Sequence, residues 1–229
     1  MINSIEIDKY IHELLIKPYT EGLNENDLQK VKTIVLSKYN IKNEIVEYDY
    51  SDLSKLVNLE KCSIEFLDIT DELINNLNQL ENLKTIVINS CKIKSIEKIK
   101  NNIGKIIIKN SSEDFFTLFD IPNVETIEII GFEKIDISIL SGYTRLKQLY
   151  IYNSNIMSFK QILNMTSLNT LKLDGSKIDD ESIIDRISKN IFVQRKNEFL
   201  LTSEIWESKV CIIKSKSKCC KSIHRIMKF

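Results

Sequence analysis

Side chains able to carry catalysis are few in this sequence and lie far apart. A hydrolase or transferase that works through a nucleophile needs a general base, most often histidine, within hydrogen-bond reach. The chain has two histidines, His12 in a predicted N-terminal helix and His224 in a basic C-terminal segment. A thiol lies near an imidazole in sequence where Cys219 and Cys220 precede His224. Because so few groups are present, we predict that the chain is not an enzyme and requires no cofactor.

Metal and nucleotide sites are also disfavoured. The segment "CCKSIH" offers three soft ligands, but its adjacent cysteines have no second pair elsewhere at the spacing of structural zinc sites. The five glycines are scattered and form neither a dinucleotide-binding nor a P-loop fingerprint. The sequence therefore predicts no metal site and no small-molecule substrate.

The C-terminal residues 209–229 are strongly basic, with seven lysines and arginines and no acidic residue. Such a segment could dock on an acidic membrane, and the apolar residues among the charges would add to the contact. It could equally be a solvated end of the chain. Nucleic acid is disfavoured as a partner because Phe229 is the segment's single aromatic residue able to stack on bases.

Several features indicate a reducing compartment. No apolar run reaches transmembrane length, and the N-terminus lacks the basic and apolar regions of a secretory signal. The five cysteines are an odd number spread over a long chain, which suits reduced thiols better than a disulfide framework. We expect a cytoplasmic protein.

The dominant feature of the chain is a repeat with a period of 20 to 28 residues. Apolar residues occupy positions 1, 4 and 6 of seven repeats, which begin at Val31, Leu59, Leu83, Ile103, Val124, Leu146 and Leu168. Positions 4 and 6 alternate with mostly polar neighbours, which predicts a short strand buried on one face. Self-similarity at this period is typical of a solenoid, so stacked strands should form a parallel sheet.

Further apolar residues are expected to turn the chain back beneath each strand. Position 11 is apolar in five repeats, at Ile41, Ile69, Ile93, Ile156 and Ile178, and later apolar residues include Ile96, Ile99, Phe159 and Leu163. Glu113 and Lys134 break the pattern at position 11. Cys62 and Cys91 fall on inward-facing positions, where a cysteine behaves as a small apolar residue.

The repeat resembles the leucine-rich repeat of the short class found in bacterial internalin-like proteins, over roughly residues 23–195. The resemblance implies an α/β solenoid with a curved parallel sheet on the concave side, irregular or 3₁₀ segments outside, and a role in protein recognition. The family usually places asparagine at position 9, where its side chain bonds the inner backbone. Cys91, Ser111, Ser154 and Ser176 could substitute there, whereas Tyr39, Leu67 and Phe132 could not.

A solenoid exposes its core at both ends unless caps cover it. We predict a helical N-terminal cap at residues 1–30, repeats at 31–195, a β-rich C-terminal cap at 196–214 and a basic tail at 215–229. The N-terminal helix should present Ile7, Ile11, Leu14 and Leu15 on one face. One or two closing strands should follow the last repeat, with Trp206 as an apolar plug.

Side chains at positions 5 and 7 should point to the concave side, away from the buried residues at 4 and 6. Apolar and aromatic groups cluster there in the third to sixth repeats, with charges around them. An apolar centre with a polar rim is typical of a recognition patch. The predicted partner-binding residues are Val87, Ile107, Lys109, Glu128, Ile130, Tyr150, Tyr152 and Lys172, and Tyr150 and Tyr152 are expected side by side and exposed.

Three functions remain open from the sequence. The first is a non-enzymatic module that binds a protein partner through the concave sheet. The second is an effector or a substrate-recognition subunit whose activity a partner or the tail supplies. The third is a membrane-surface adaptor that uses the basic tail.

Overall fold

The computed structural model describes residues 2–39, 43–119, 123–187 and 191–196. Within these residues the chain forms three α-helices, α1 (Ile5–Leu15), α2 (Glu25–Gln29) and α3 (Asp71–Leu77). It also forms thirteen strands, which are β1 (Thr33–Ser37), β2 (Lys61–Glu65), β3 (Asp68–Ile69), β4 (Thr85–Asn89), β5 (Lys92–Ile93), β6 (Lys105–Lys109), β7 (Thr126–Ile130), β8 (Ile135–Asp136), β9 (Gln148–Tyr152), β10 (Asn155–Met157), β11 (Thr170–Lys172), β12 (Lys177–Ile178) and β13 (Phe192–Gln194).

Eight of these strands form one sheet in the order β1-β2-β4-β6-β7-β9-β11-β13. All neighbouring pairs are parallel, and the repeats pair in register, as at Ile64 with Ile88, Ile88 with Ile108 and Ile129 with Ile151. The predicted parallel sheet, one strand to each repeat, is confirmed. β13 pairs with β11 at the same 22-residue offset, as Thr170 opposite Phe192 shows, and it follows the strands of the seven repeats, where a closing strand was expected.

The main core lies between this sheet and the outer segments of the solenoid, because positions 1, 4 and 6 of the seven repeats are buried there. The exposure of these 21 side chains does not exceed 4 %. Their identities are mostly isoleucine and leucine, and the β-branched isoleucines favour the strand conformation. Cys62 and Cys91 are buried as predicted, and burial raises the pKa of the Cys62 thiol to about 12.

The outer side of the solenoid consists of α3, five 3₁₀ helices and two small sheets, β3-β5 and β8-β10-β12, within the described residues. The fourth repeat, whose position 11 is Glu113, has a 3₁₀ helix instead of an outer strand. The Glu113 carboxylate accepts a hydrogen bond from the Asp136 N–H at 2.9 Å, at the edge of β8. In the fifth repeat Ile135 takes the buried place that the pattern gave to Lys134, and it pairs with Ile156.

Two of the apolar residues expected beneath the strands are instead exposed. Ile96 is 92 % exposed and Leu163 is 37 % exposed, because each lies on an outer segment whose inward side is already filled. Ile99 and Phe159 are buried as expected. Ile41 lies outside the described residues.

At position 9, serine hydroxyl groups and the Cys91 thiol form hydrogen bonds with the inner backbone. Ser154 Oγ accepts from the Phe132 N–H at 3.0 Å and donates to the Tyr152 carbonyl. Ser176 Oγ accepts from the Ser154 N–H at 3.2 Å and donates to the Ile151 carbonyl. These bonds join successive repeats, so the serines fulfil the role that the resemblance assigns to asparagine.

A left-handed residue follows the strand in each of the second to seventh repeats. The positive φ angles lie between 45° and 73° and belong to Phe66, Ser90, Asn110, Gly131, Asn153 and Gly175. From the second to the fifth repeat, the N–H at this position donates to the carbonyl at the end of the next strand, as Phe66 does to Asn89 at 2.9 Å. The chain therefore turns away from the sheet without losing the hydrogen bond between repeats.

The N-terminal helices precede the first strand. Ile7 and Ile11 of α1 are buried in the main core, whereas Leu14, expected on the same face, is 36 % exposed. The helix ends at Leu15 and is followed by a left-handed Ile16. In α2 the Asn24 side chain accepts from the Asp27 N–H and Asp27 accepts from the Asn24 N–H, a capping box. Several sequence predictions concern residues that the structure does not describe. These are residues 197–214 of the predicted cap with Trp206, and the tail at 215–229 with Cys219, Cys220 and His224.

Candidate partner-binding surface

Two rows of side chains cross the concave side of the main sheet. One row, at position 5, places Tyr150 between Glu128 and Lys172 on adjacent strands. The other, at position 7, places Ile130 between Lys109 and Tyr152. The structure therefore brings together the predicted residues of the fourth to seventh repeats.

The apolar residues of this set are buried, not exposed. Val87, Ile107 and Ile130 are 1 %, 5 % and 3 % exposed, and they form a small apolar cluster against which Tyr152 packs. Strands in a sheet lie about 4.8 Å apart, so branched side chains on successive strands cover one another. The expected exposed apolar patch is thus a second, smaller core on the concave side, and Val87, Ile107 and Ile130 are covered instead of facing solvent.

The two tyrosines lie side by side, as the sequence predicted, but each is half-buried instead of exposed. Their ring centroids are 6.5 Å apart with the planes tilted by 33°. Lys172 Nζ lies 5.1 Å from the centroid of the Tyr150 ring, a cation–π distance. Burial raises the pKa of Tyr152, and the charges of Glu128 and Asp174 raise it further, so this hydroxyl stays protonated at neutral pH.

Charged side chains border the tyrosine pair. Lys105 Nζ lies 3.0 Å from Glu128 Oε2, and the Glu128 side chain is 18 % exposed. Burial lowers the pKa of Lys109, while Glu128 and Glu65 oppose that change. Partly desolvated charges of this kind interact more strongly with a partner than fully hydrated ones. Lys105 is a position-3 residue that the sequence prediction omitted, and only the pairing of β6 with β7 places it here.

Of the groups considered for catalysis, His12 lies in the described part of the chain. His12 is 3 % exposed, its Nδ1 lies 3.1 Å from the Lys17 carbonyl and its ring lies 4.9 Å from Tyr19. No cluster of three or more histidine, cysteine, aspartate or glutamate side chains able to hold a metal ion occurs among the described residues. No helix in these residues is long and apolar enough to span a bilayer.

Comparisons with known proteins agree with this architecture. No protein-family model matches the sequence, and no curated protein matches it. The solved structure of internalin C2 from Listeria monocytogenes superposes with a TM-score of 0.50 and 18 % identity, over 85 % of this chain and 94 % of its own. An internalin F from the same species covers 84 % of this chain and 68 % of its own, with a TM-score of 0.41 and 18 % identity. The likeness to internalin C2 and the eight-stranded parallel sheet show that the chain has the leucine-rich repeat fold, an α/β solenoid.

Proposed function

We propose that the chain is a non-enzymatic module that binds a protein partner through the concave surface formed by Tyr150, Tyr152, Lys172, Glu128 and Lys109. The observation that carries this proposal is the pair of adjacent, half-buried tyrosines within a charged border. Proteins with this fold typically serve as protein-interaction modules, which supports the same conclusion.

The environment of the tyrosines favours binding because both rings are already held in place. Tyr152 packs against the Val87–Ile107–Ile130 cluster, and the Tyr150 ring has both Lys172 and the Tyr152 ring as neighbours. A ring whose torsions are fixed before association loses little entropy when a partner covers it. Tyrosine is also among the residues most enriched at the energetic centre of interfaces. Each tyrosine should contribute about 1–3 kcal/mol to the binding free energy.

The border supplies specificity. Glu128 and Lys105 form an ion pair, and Lys172 lies above the Tyr150 ring, so both signs of charge surround the aromatic centre. A partner must present complementary charges to avoid leaving these groups desolvated and unpaired. We therefore expect an apolar or aromatic anchor flanked by charges of both signs on the partner.

The proposal is tested by capture of partners from a lysate of the native host on immobilised wild-type chain, followed by mass spectrometry. Two variants are compared with it: the double variant Tyr150→Ala/Tyr152→Ala and a control, Lys177→Ala, in which an exposed outer lysine is removed. Circular dichroism must show that both variants are folded.

We expect at least one protein that the wild type and Lys177→Ala retain and that the tyrosine variant does not. Retention of the same proteins by all three chains would contradict the proposed surface. Loss with Lys177→Ala alone would place binding on the outer side of the solenoid.

A further inference from the structure

The small sheets on the outer side of the solenoid are interrupted at the fourth repeat. A backbone hydrogen bond joins the second and third repeats there, from the Lys92 N–H to the Leu67 carbonyl at 3.2 Å. A similar bond joins the fifth and sixth repeats, from the Asn155 N–H to the Phe132 carbonyl at 3.1 Å. Between these pairs the fourth repeat forms a 3₁₀ helix, Glu113–Leu118, instead of a strand. β5 is therefore an edge strand on the side of the fourth repeat.

The free edge of β5 carries backbone groups at the spacing of a β ladder. The N–H groups of Lys92 and Lys94 donate to carbonyls of the second repeat at 3.2 and 2.9 Å, so they face β3. Successive residues of a strand direct their backbone groups to opposite edges. The Cys91 carbonyl and both backbone groups of Ile93 therefore face the fourth repeat. These three groups have no hydrogen-bond partner among the described residues.

A groove of about 740 Å³ lies along this edge, and we call it the β5 groove. One wall is formed by residues 91–93 of β5 and its approach, and the other by residues between Asn110 and Thr117. An extended chain can enter between two such walls. The edge of a folded sheet brings further strands with it, and the second wall would obstruct them. The occupant that fits the β5 groove is therefore a single extended segment.

We propose that the β5 groove binds an extended segment of a partner protein as an added parallel strand. The N–H groups of two segment residues, two positions apart, donate to the carbonyls of Cys91 and Ile93. The carbonyl of the first of these residues accepts from the Ile93 N–H. The segment thus bonds β5 in the same way that β5 bonds β3.

The lining of the β5 groove sets the chemistry of the segment. Its charged residues are Lys92 and Asp114, both exposed and opposite in sign, so the lining has no net charge. We therefore expect an uncharged segment rich in β-branched residues, which favour the extended conformation. The groove lies on the outer side of the solenoid, away from Tyr150 and Tyr152, so the proposal goes beyond the function proposed above.

Variants at the edge of β5 separate its free backbone groups from those that bond β3. Ile93→Pro removes the N–H that faces the groove, and proline is tolerated on an edge strand whose N–H faces away from the ladder. Ile93→Ala is the matched control because it shortens the side chain but keeps the N–H. Lys94→Pro removes a donor that bonds β3 at 2.9 Å, so thermal melts should show a larger loss for Lys94→Pro than for Ile93→Pro. The opposite order would overturn the assignment of Ile93 to the free edge.

The probe is a library of random heptapeptides displayed on phage, selected on the full immobilised chain with soluble Ile93→Pro as competitor. The selected peptides are synthesised and titrated into each variant. We expect Ile93→Pro to weaken binding about tenfold or more, whereas Ile93→Ala and Tyr150→Ala should each change it less than about threefold. Added salt should have little effect because the lining has no net charge.

Methylation of the peptide amides, one at a time, tests whether the peptide binds as a strand. We expect losses of affinity at alternate residues, since the N–H groups between them point away from β5. Failure to select any peptide that distinguishes the wild type from Ile93→Pro, or a methylation profile without alternation, would overturn the proposal. So would a dimer of the wild type that Ile93→Pro abolishes, because a second copy would then occupy the groove. None of these results alters the prediction for the tyrosine pair.

Discussion

Replacement of Leu149 by alanine tests the repeat register most sharply. Leu149 lies in β9, pairs with Ile127 and Leu171, and is 0 % exposed. The substitution removes three carbon atoms from the core, which costs about 2.4 kcal/mol at about 0.8 kcal/mol for each buried methylene. Because neighbouring strands hold the backbone in place, the cavity collapses only in part, and the total loss should reach about 3–5 kcal/mol.

The matched control is Leu163→Ala, which removes the same three carbons from a side chain that is 37 % exposed. Solvent reaches that site, so little closed cavity forms and the loss should be about 1 kcal/mol. The free energy of unfolding is measured by urea denaturation followed by circular dichroism. Equal losses for the two variants would refute the assignment of positions to the core and the outer side.

Three further predictions concern the turns, the serine bonds and pH. Gly131→Ala should lower the free energy of unfolding by about 1–3 kcal/mol, because the φ of Gly131 is +73° and an added Cβ would lie 2.3 Å from Asn110 Oδ1. Gly104→Ala is the control, since no atom lies within 4 Å of its added Cβ, and thermal melts should show little change. Ser154→Ala should cost about 1–2 kcal/mol in urea denaturation because it leaves a buried N–H unpaired; an unchanged midpoint would show that the bond does not stabilise the stack. Hydrogen bonds from Lys17 and from the Asn24 backbone lower the pKa of Asp27 from 3.8 to about 2. The stabilisation that the Asp27 carboxylate gives to the fold is therefore present above pH 3.8 and is lost as the pH falls toward 2. Asp27→Asn should reduce this acid dependence of the free energy of unfolding, and identical pH profiles for the variant and the wild type would contradict the assignment.

The repeat itself could be predicted from the sequence because its core positions impose a strict pattern. An apolar residue at position 4 or 6 meets the apolar residue at the same position of the next repeat, as Ile88 meets Ile108. The bonding role of Ser154 and Ser176 was implied by the resemblance to leucine-rich repeats, which usually place asparagine at this position. Neither inference required the geometry of the outer segments.

The accessibility of the concave residues could not be predicted in the same way. Alternation places Val87, Ile107 and Ile130 on the concave face, but it does not show that they bury one another across three strands. That mutual burial depends on which residues are adjacent in the sheet and on the volume of each. The left-handed position after each strand was also missed, because only Gly131 and Gly175 among its members carry the usual signal of a positive φ.

The outer exposed residues were missed for a related reason. Phe66 and Tyr39 follow strands and look like continuing core residues in the sequence, yet the left-handed turn at Phe66 directs the chain out of the sheet. Their contact across two repeats, at 6.2 Å, joins residues 27 positions apart and depends on the stacking of β1 on β2. Periodicity alone carries no information about this contact.

The most direct test of the proposed function is the dissociation constant of a captured partner, measured by isothermal titration calorimetry. Tyr150→Ala and Tyr152→Ala should each raise the constant by roughly 5- to 150-fold, which corresponds to about 1–3 kcal/mol, while the fold and the melting temperature of Tyr150→Ala stay close to those of the wild type. Lys177→Ala should change the constant less than about twofold. A partner whose affinity is unaffected by either tyrosine variant but falls with Lys177→Ala would contradict recognition through the concave sheet.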